Sequence, residues 1–370
     1  MKKSLGGFRG LFPGGRILLG FFFLLSLSSC GMGGGGAGGS SPPSSTFSAS
    51  NVTSFGTIAV DPGNNNVWVA TNTGVLEIPS GATSCATTTD CPLIVLNFTP
   101  AGIAVDSSHN VWVTYSSGNS VTEILSTINF SVGCTTNTCL NFSLSSFSSP
   151  TGIAVETSGN VWVTNSTGNS VTKIPSGTSP TSCSSTTCPT VTGFTSPTGI
   201  AVDSQNNIWV TNKTSSGSVT EIPFSNNSYP SSCSSSCPTY SGFSDPVAVV
   251  FNSGTTPWIA NSGTGTYTPG IVEITNTSLC VSGSSSGCPE ITHFTQPVGL
   301  AFDSSGNLWV IDAGTKSTVE ITTSAIASAS CSSSTPCYQY SLPAAPEGIA
   351  TNSQGIWISL SNAQVIEYKP

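Results

Sequence analysis

The chain of 370 residues carries few charges, with eight Lys and Arg against sixteen Asp and Glu, which gives a formal net charge of −8. Four of the basic residues lie in the first sixteen positions, so the rest of the chain holds four lysines, no arginine and all sixteen acids, a formal charge of −12. Phosphate binding needs clustered Lys and Arg, so this balance argues against nucleic acid as a partner.

The first 29 residues have the features of an export signal. Basic residues precede the apolar run "ILLGFFFLLSL", which begins at Ile17 and is too short to span a bilayer, since a helix needs about 20 residues to do so. The tetrapeptide that ends at Cys30, "LSSC", resembles the lipobox of bacterial lipoproteins. The resemblance implies that Cys30 is lipidated and becomes the first residue, whereas ordinary signal cleavage near the same place is the alternative.

A tether follows from residue 30 to residue 45. Its sequence after the cysteine, "GMGGGGAGGSSPPSS", offers no side chains for a core and predicts a flexible linker. Gly31, rather than Asp, follows the cysteine, and the lipoprotein sorting pattern then favours the outer membrane. We therefore expect a protein of the bacterial cell envelope, either anchored in the outer membrane or secreted.

One phrase recurs through residues 46–370. It is clearest in "GIAVETSGNVWVTNSTGNSVTKI" from Gly152, and seven copies can be aligned. The seven tryptophans provide an independent count, because each falls in the same position of a different copy, and their spacing suits a unit of four short strands. The tryptophans are Trp68, Trp112, Trp162, Trp209, Trp258, Trp309 and Trp357.

Each copy predicts three strands separated by turn residues, with a fourth after a cysteine-bearing loop. We name them A ("GIAV"), B ("VWV"), C ("VTEI") and D. Apolar residues on both faces of A and B indicate sheets stacked around an axis, so the fold class is all-β, a seven-bladed β-propeller of four-stranded blades. The last copy ends after strand C, and "TFSASNVTSF" (46–55) supplies a strand before the first strand A, so an N-terminal strand should close the ring.

Thirteen cysteines support export. Cys30 is the odd one, and the other twelve form six close pairs between strands C and D. Zinc needs four ligands, and these loops carry Ser, Thr and Pro without histidine, so we interpret the pairs as disulfides. The pairs are Cys85 with Cys91, Cys134 with Cys139, Cys183 with Cys188, Cys233 with Cys237, Cys280 with Cys288 and Cys331 with Cys337.

The pieces "GIAVD", "GNVWVTN" and "VTEI" resemble the NHL-type repeat and, more closely, the repeat of virginiamycin B (streptogramin) lyase-like propellers. The lyase family uses a catalytic histidine and carboxylates that hold a divalent metal at the channel mouth. Here His109 falls in an A-to-B turn and His293 in strand D, and neither position is expected at that mouth.

Most acids occupy fixed positions of the repeat. Those that end strand A, such as Asp106, should accept hydrogen bonds from amides of the following turn. The variable residues of the B-to-C and D-to-A connections are the candidates for a ligand-binding face, and we expect Tyr115, Asp312 and Lys316 to stand out among its Ser, Thr and Asn. The candidates are Tyr115, Asn165, Asn212, Lys213, Asp245, Asn261, Tyr267, Asp312, Lys316 and Glu347.

Two functions remain open. The first is a lipid-anchored, non-catalytic scaffold, expected to be a monomer, that binds a protein or a glycan and reaches the membrane through its lipid. The second is a lyase- or lactonase-like enzyme that uses Asp245, Asp312 or Glu347 with Ca²⁺ or Mg²⁺. No catalytic residue and no cofactor is predicted under the first function.

Overall fold

The computed structural model describes residues 45–49, 52–87, 89–252, 254–263, 267–275, 288–331 and 336–369. Cys30, Cys280 and the predicted tether up to residue 44 lie outside the described residues. The described chain forms seven antiparallel sheets of four strands, and the first strand of each sheet contacts the first strand of its neighbours, which closes a ring. The predicted seven-bladed β-propeller is confirmed.

The blades are numbered in chain order, and within each the strands run from the axis outward. Blade 1 holds β2 (Phe55–Val60), β3 (Val67–Thr71), β4 (Gly74–Ile78) and β5 (Leu93–Val95). Blade 2 holds β6 (Gly102–Val105), β7 (Val111–Tyr115), β8 (Ser120–Ile124) and β9 (Cys139–Phe142). Blade 3 holds β10 (Pro150–Val155), β11 (Val161–Asn165), β12 (Ser170–Ile174) and β13 (Thr190–Thr192).

The remaining blades follow the same order. Blade 4 holds β14 (Pro197–Val202), β15 (Ile208–Asn212), β16 (Gly217–Ile222) and β17 (Thr239–Phe243). Blade 5 holds β18 (Pro246–Phe251), β19 (Pro257–Asn261), β20 (Gly270–Glu273) and β21 (Glu290–Ile291). Blade 6 holds β22 (Pro297–Phe302), β23 (Leu308–Asp312), β24 (Ser317–Ile321), the helix α1 (Thr323–Ser328) and β25 (Cys337–Ser341). Blade 7 holds β26 (Pro346–Thr351), β27 (Ile356–Leu360), β28 (Gln364–Tyr368) and, as its outer strand, β1 (Ser45–Ser48).

Closure through the N-terminal strand is confirmed. Strand β1 pairs antiparallel with β28, with Phe47 opposite Val365. The Phe47 ring is buried and lies 5.4 Å from the ring of Trp357. The two ends of the described chain therefore share one blade, and neither leaves an unpaired edge at the seam.

The glycine of the repeated phrase is required where innermost strands approach one another. A Cβ atom added at Gly152 would lie 2.1 Å from the carbonyl oxygen of Thr198 in the next blade, and one at Gly102 would lie 2.2 Å from that of Thr151. The buried Thr164 links the same two blades by hydrogen bonds. Its Oγ1 accepts from the Gly152 amide at 2.8 Å and donates to the Thr198 carbonyl at 2.9 Å.

Five of the six predicted disulfides lie wholly within the described residues, and all five have the predicted partners. They join Cys85 to Cys91, Cys134 to Cys139, Cys183 to Cys188, Cys233 to Cys237 and Cys331 to Cys337. Cys288 is also disulfide-bonded. Each described bridge closes a loop of five to seven residues between the third and fourth strands, so each contributes about 2 kcal/mol by the chain-entropy relation.

Several of these bridges also belong to the apolar core. Cys91 is 2% exposed and packs with the core shared by blades 7 and 1, and Cys188 is fully buried in the core between blades 2 and 3. Cys237 is half-buried and packs against the core between blades 3 and 4. The cysteine loops are therefore fixed by side-chain packing as well as by their covalent bonds.

No helix among the described residues is long and apolar enough to cross a membrane.

Candidate functional site

The seven innermost strands enclose a central channel with a volume of about 370 Å³. Its wall consists mainly of Gly, Ala, Val, Ile and Leu. Glu347, at the start of β26, is the one charged side chain that lines the channel within the described part of the chain. Burial raises the pKa of Glu347 although the side chain as a whole is exposed. We call the face with the B-to-C and D-to-A connections the upper face, and the opposite one the lower face.

Asparagines at the ends of the second strands hold the upper-face loops together. Oδ1 of Asn212 accepts from the Thr195 amide of the preceding D-to-A connection at 3.1 Å, and its Nδ2 donates to Thr220 Oγ1 at 3.0 Å. Asn261 repeats the arrangement, with its Oδ1 2.7 Å from the Ser244 amide. Asn165 is also fully buried and donates to Thr172 Oγ1 at 3.0 Å, but its Oδ1 has no partner among the described residues. These side chains are therefore part of the scaffold of the face.

Asp312 has the same position in blade 6 and makes more bonds. Its carboxylate accepts from the amides of Thr295, Gln296, Gly314 and Thr315 at 2.7 to 3.2 Å. The side chain is 1% exposed. The expectation that Asp312 stands out on the surface is wrong, because a carboxylate with four backbone donors is drawn into the loops that it joins.

Tyr115 is also buried, at 2% exposure, so its expected exposure on the upper face is wrong as well. It replaces the asparagine in blade 2, and its ring packs 5.9 Å from that of Phe98 in the preceding D-to-A connection. Burial raises the pKa of Tyr115 to about 12. An aromatic pair has thus replaced the hydrogen bond to that connection. The buried Ser120 hydroxyl has no partner among the residues that the structure describes, whereas Ser170 accepts from Asn165 in blade 3.

The other candidates remain accessible. Lys213, Lys316 and Glu347 are exposed, and Asp245 and Tyr267 are half-buried. Lys316 and Asp245 have left-handed backbone angles, φ 50° and φ 49°, in tight connections. The upper face therefore presents a few charged groups on loops whose buried residues fix them, and whether it binds a ligand stays a prediction.

Both histidines of the chain are described, and neither lies among the residues that line the channel. His109 occupies the lower-face turn between β6 and β7, where its Nδ1 lies 2.8 Å from Oδ1 of Asp61 in blade 1. His293 is exposed just after β21, an outermost strand. Among the described residues, no group of three or more His, Cys, Asp or Glu side chains could hold a metal ion.

Acids of the lower face have structural partners, as predicted. Asp203 Oδ1 accepts from the amides of Gln205 and Asn207 at 2.8 and 2.9 Å. Its other oxygen accepts from Nε1 of Trp209, six residues later, at 3.1 Å, a bond that the sequence analysis missed. Asp106 and Asp303 bond to their own tryptophans at 3.0 Å across the same spacing. That constant spacing was the signal in the sequence.

The acids of strand C lie beside these pairs and are half-buried or buried. Burial, with the Asp106 carboxylate nearby, raises the pKa of Glu123 to about 7. In blade 3 the position is Lys173, whose Nζ lies 4.9 Å from the Tyr229 ring centre and 5.6 Å from that of Trp162. Burial likewise raises the pKa of four other strand C acids, Glu77, Glu221, Glu273 and Glu320.

No protein-family model matches the chain, and no curated protein matches it. Among solved structures, virginiamycin B lyase from Staphylococcus aureus is similar, with a TM-score of 0.63 at 16% identity over 88% of this chain and 98% of that one. The chain shares the β-propeller fold of this enzyme. Kuenenia stuttgartiensis hydrazine synthase is similar at 11% identity, over 90% of this chain and 99% of that one, with a TM-score of 0.64.

The WD40 β-propeller domain of Doa1 is also similar, with a TM-score of 0.61 at 10% identity over 88% of this chain and 95% of that one. A lyase, a synthase and a WD40 domain thus share the architecture with this chain at low identity. The similarity establishes the fold and leaves the activity to be argued from the site.

Proposed function

We propose that the chain is an exported, lipid-anchored β-propeller of the bacterial envelope that binds a protein or a glycan on its upper face without catalysis. The observation that supports this most is that the polar groups of Asn212, Asn261 and Asp312, at the ends of their second strands, are used within the fold. Asp312 and the equivalent asparagines bond to the loops of the face, so the loops are held before a ligand arrives. A preorganised surface loses less conformational entropy on binding.

The exposed groups suit recognition. Lys213, Lys316 and Glu347 carry isolated charges on a background of Ser, Thr and Asn. Such groups fix the orientation of a ligand, and neither lysine has an ion-pair partner among the described residues. A protein epitope or a glycan with a few charged groups fits this pattern.

The histidine positions support a binder over a lyase. A variant of the Staphylococcus aureus enzyme in which one histidine is replaced by alanine is described as catalytically inactive. In this chain His109 is bonded to Asp61 on the lower face and His293 lies at the periphery, so neither can act as a general acid or base on a ligand at the channel mouth.

One observation favours the enzymatic alternative. Glu347 lines the channel, and burial raises its pKa, which is the direction expected for a carboxylate that acts as a general base. The other two carboxylates of that alternative are less suited. Asp312 is buried and accepts hydrogen bonds from four backbone amides, and Asp245 lies in the connection between β17 and β18, away from Glu347 in sequence. We therefore propose the scaffold first.

A charge-neutralising triple variant tests the proposal. Lys213→Gln, Lys316→Asn and Glu347→Gln alter exposed side chains, and Asn tolerates the left-handed backbone at position 316. The melting temperature should be unchanged, while binding to arrayed oligosaccharides and purified envelope proteins should fall at least about tenfold. The matched control is Lys369→Gln, which removes a lysine that pairs with Glu367 in blade 7. A triple variant that binds like the wild type would refute the upper face as the site.

A further inference from the structure

The rim between blades 1 and 2 carries an apolar groove that the upper-face proposal does not use. Five large hydrophobic side chains are exposed among the described residues, and four of them line this groove. Val95 is 67% exposed, Val132 66%, Phe98 46% and Phe130 37%. The groove has a volume of about 770 Å³ and lies between β5 and the cysteine loop of blade 2.

The lining of the groove is uncharged. Its walls are the four apolar side chains, and polar groups of blade 2 lie between them, where Thr122 Oγ1 donates to Asn141 Oδ1 at 3.2 Å. None of the residues that line it is Asp, Glu, Lys, Arg or His. Charge complementarity therefore favours an occupant without charged side chains at the contact, since a buried charge would find no partner there.

The same place is filled between blades 3 and 4. There the cysteine loop of blade 4 lies along the outer edge of β13 and forms a parallel β-bridge, with Thr192 opposite Ser232. The Thr192 amide donates to the Ser231 carbonyl at 3.3 Å, and the Cys233 amide donates to the Thr192 carbonyl at 2.7 Å. An extended segment of backbone thus occupies the outer edge of blade 3 in this protein.

Val95 occupies in blade 1 the position that Thr192 occupies in blade 3. Val95 lies opposite Gly74, as Thr192 lies opposite Ser170. Each of the two also follows, by three residues, a proline whose carbonyl accepts a hydrogen bond from strand C. The bonds of β5 to β4 use the flanking residues, since Glu77 donates to Pro92 and Leu96 donates to Thr73. The amide and carbonyl of Val95 therefore point outward, and no backbone partner meets them among the described residues.

We infer that this groove is a peptide-binding site, in which an extended, uncharged and apolar segment of a partner protein adds to the edge of β5. Its backbone bonds to the amide and carbonyl of Val95, running parallel to β5 as the blade 4 loop runs beside β13. Its side chains pack against Phe98, Phe130 and Val132. Main-chain bonds supply affinity and the apolar walls select the sequence. The groove meets the upper face at Phe98 of the D-to-A connection but contains none of Lys213, Lys316 and Glu347, so it can be present whether or not those residues bind a ligand.

The test uses the full chain and a short fluorescent peptide, acetylated and amidated, that alternates serine with valine and phenylalanine. Fluorescence anisotropy should show saturable binding, and hydrogen exchange should show that the Val95 amide becomes protected when the peptide is present. The same peptide with N-methylated central residues keeps its side chains but loses its backbone donors, and its affinity should be at least about tenfold weaker.

Variants at Val95 distinguish the contribution of its backbone hydrogen bonds to peptide binding from that of its side chain. Val95→Pro removes the outward amide, which an edge strand tolerates, and should weaken binding by about tenfold, whereas Val95→Thr, which copies blade 3, should change it less than about threefold. Tyr338→Ser alters the one exposed large hydrophobic residue outside the groove among those described and should have no effect. The inference is overturned if the wild type does not bind the peptide, if Val95→Pro binds it equally well, or if a neutral oligosaccharide protects the groove while the peptide does not.

Discussion

Nδ1 of His109 lies 2.8 Å from Oδ1 of Asp61, so a side chain of blade 2 bonds to the acid that ends strand A of blade 1. In blades 2, 4 and 6 the equivalent acid accepts from the tryptophan six residues later, as Asp203 accepts from Trp209. In blade 1 the tryptophan, Trp68, is seven residues away, and its buried Nε1 has no partner in the part of the chain that the structure describes. The A-to-B turn of blade 1 is therefore one residue longer than in blades 2, 4 and 6, and its acid bonds to a side chain of blade 2 in place of its own tryptophan.

Replacing the acid of a tryptophan pair and replacing the histidine of the blade 1 pair should lower the free energy of unfolding by different amounts. Asp203→Ala removes the acceptor of Trp209 Nε1 and of two amides in a site that is 5% exposed, so the free energy of unfolding should fall by about 2 to 4 kcal/mol. His109→Ala should cost less than about 1 kcal/mol, because its side chain is 45% exposed and Asp61 keeps its bond to Gly63. Urea unfolding of both variants measures the difference, and equal costs would contradict this account.

Gly152 should not tolerate a side chain. Gly152→Ala places a Cβ atom against the backbone carbonyl of Thr198 and also against Thr164, both in the crowded ring around the channel. Innermost strands must separate to relieve the overlap, so we expect a loss of about 2 kcal/mol or more in thermal or urea unfolding. Gly254→Ala is the control, since its nearest contact would be 3.5 Å away and nothing needs to move. A wild-type melting temperature for Gly152→Ala would argue against the tight ring.

Stability should fall as the pH rises from about 4.5 to about 7. The pKa of Glu123 is raised to about 7, so across this window the folded chain holds a proton that the unfolded chain has released. The free energy of unfolding decreases with pH wherever the native state binds more protons. Glu123→Gln keeps an acceptor for Asn110 Nδ2 and should flatten the dependence. The measurement is the urea midpoint from about pH 4 to about pH 8, and a variant with the wild-type slope would show that Glu123 does not titrate in this range.

The sequence predicted the fold well because the strands that build it are repeated from blade to blade. Seven copies of one phrase, with a tryptophan in each, fix the number of blades, and the missing final strand D requires Ser45–Ser48 to close the ring. Repetition averages out the ambiguity of any single short strand. The paired cysteines were predictable for the same reason. The burial of Cys91 and Cys188 in the core was not, because their loops are rich in Ser and Thr.

The site was less predictable, because the sequence shows which loop a residue occupies but not which way its side chain turns. Asp312 and Tyr115 fall in variable connections and were expected on the surface, yet backbone donors and the Phe98 ring draw them inward. Lys173 packs over Trp162 of its own blade and over Tyr229 in the cysteine loop of the next blade, a contact that the sequence of one repeat does not show. The rim groove depends on contacts between neighbouring blades, which no single repeat encodes.

Lipidation of Cys30 is a prediction from the sequence, since the residue lies outside the described structure. The apolar run and "LSSC" imply that labelled fatty acid is incorporated into the wild-type protein in a bacterial host and not into Cys30→Ala. Labelling of both proteins to the same extent, or of neither, would leave ordinary signal cleavage as the better interpretation. Cys30→Ser provides a second variant of nearly the same size that also lacks the thiol.

The central claim is that the repeat builds a scaffold and that the chain binds without catalysis. Incubation of the purified protein with quinupristin, with and without Mg²⁺ or Ca²⁺ and beside the Staphylococcus aureus lyase, tests it most directly by chromatography of the products. The account predicts that quinupristin is recovered unchanged from this chain, since its histidines bond on the lower face or lie at the periphery. Turnover that is lost in Glu347→Gln and kept in Lys369→Gln would contradict it and identify an enzyme.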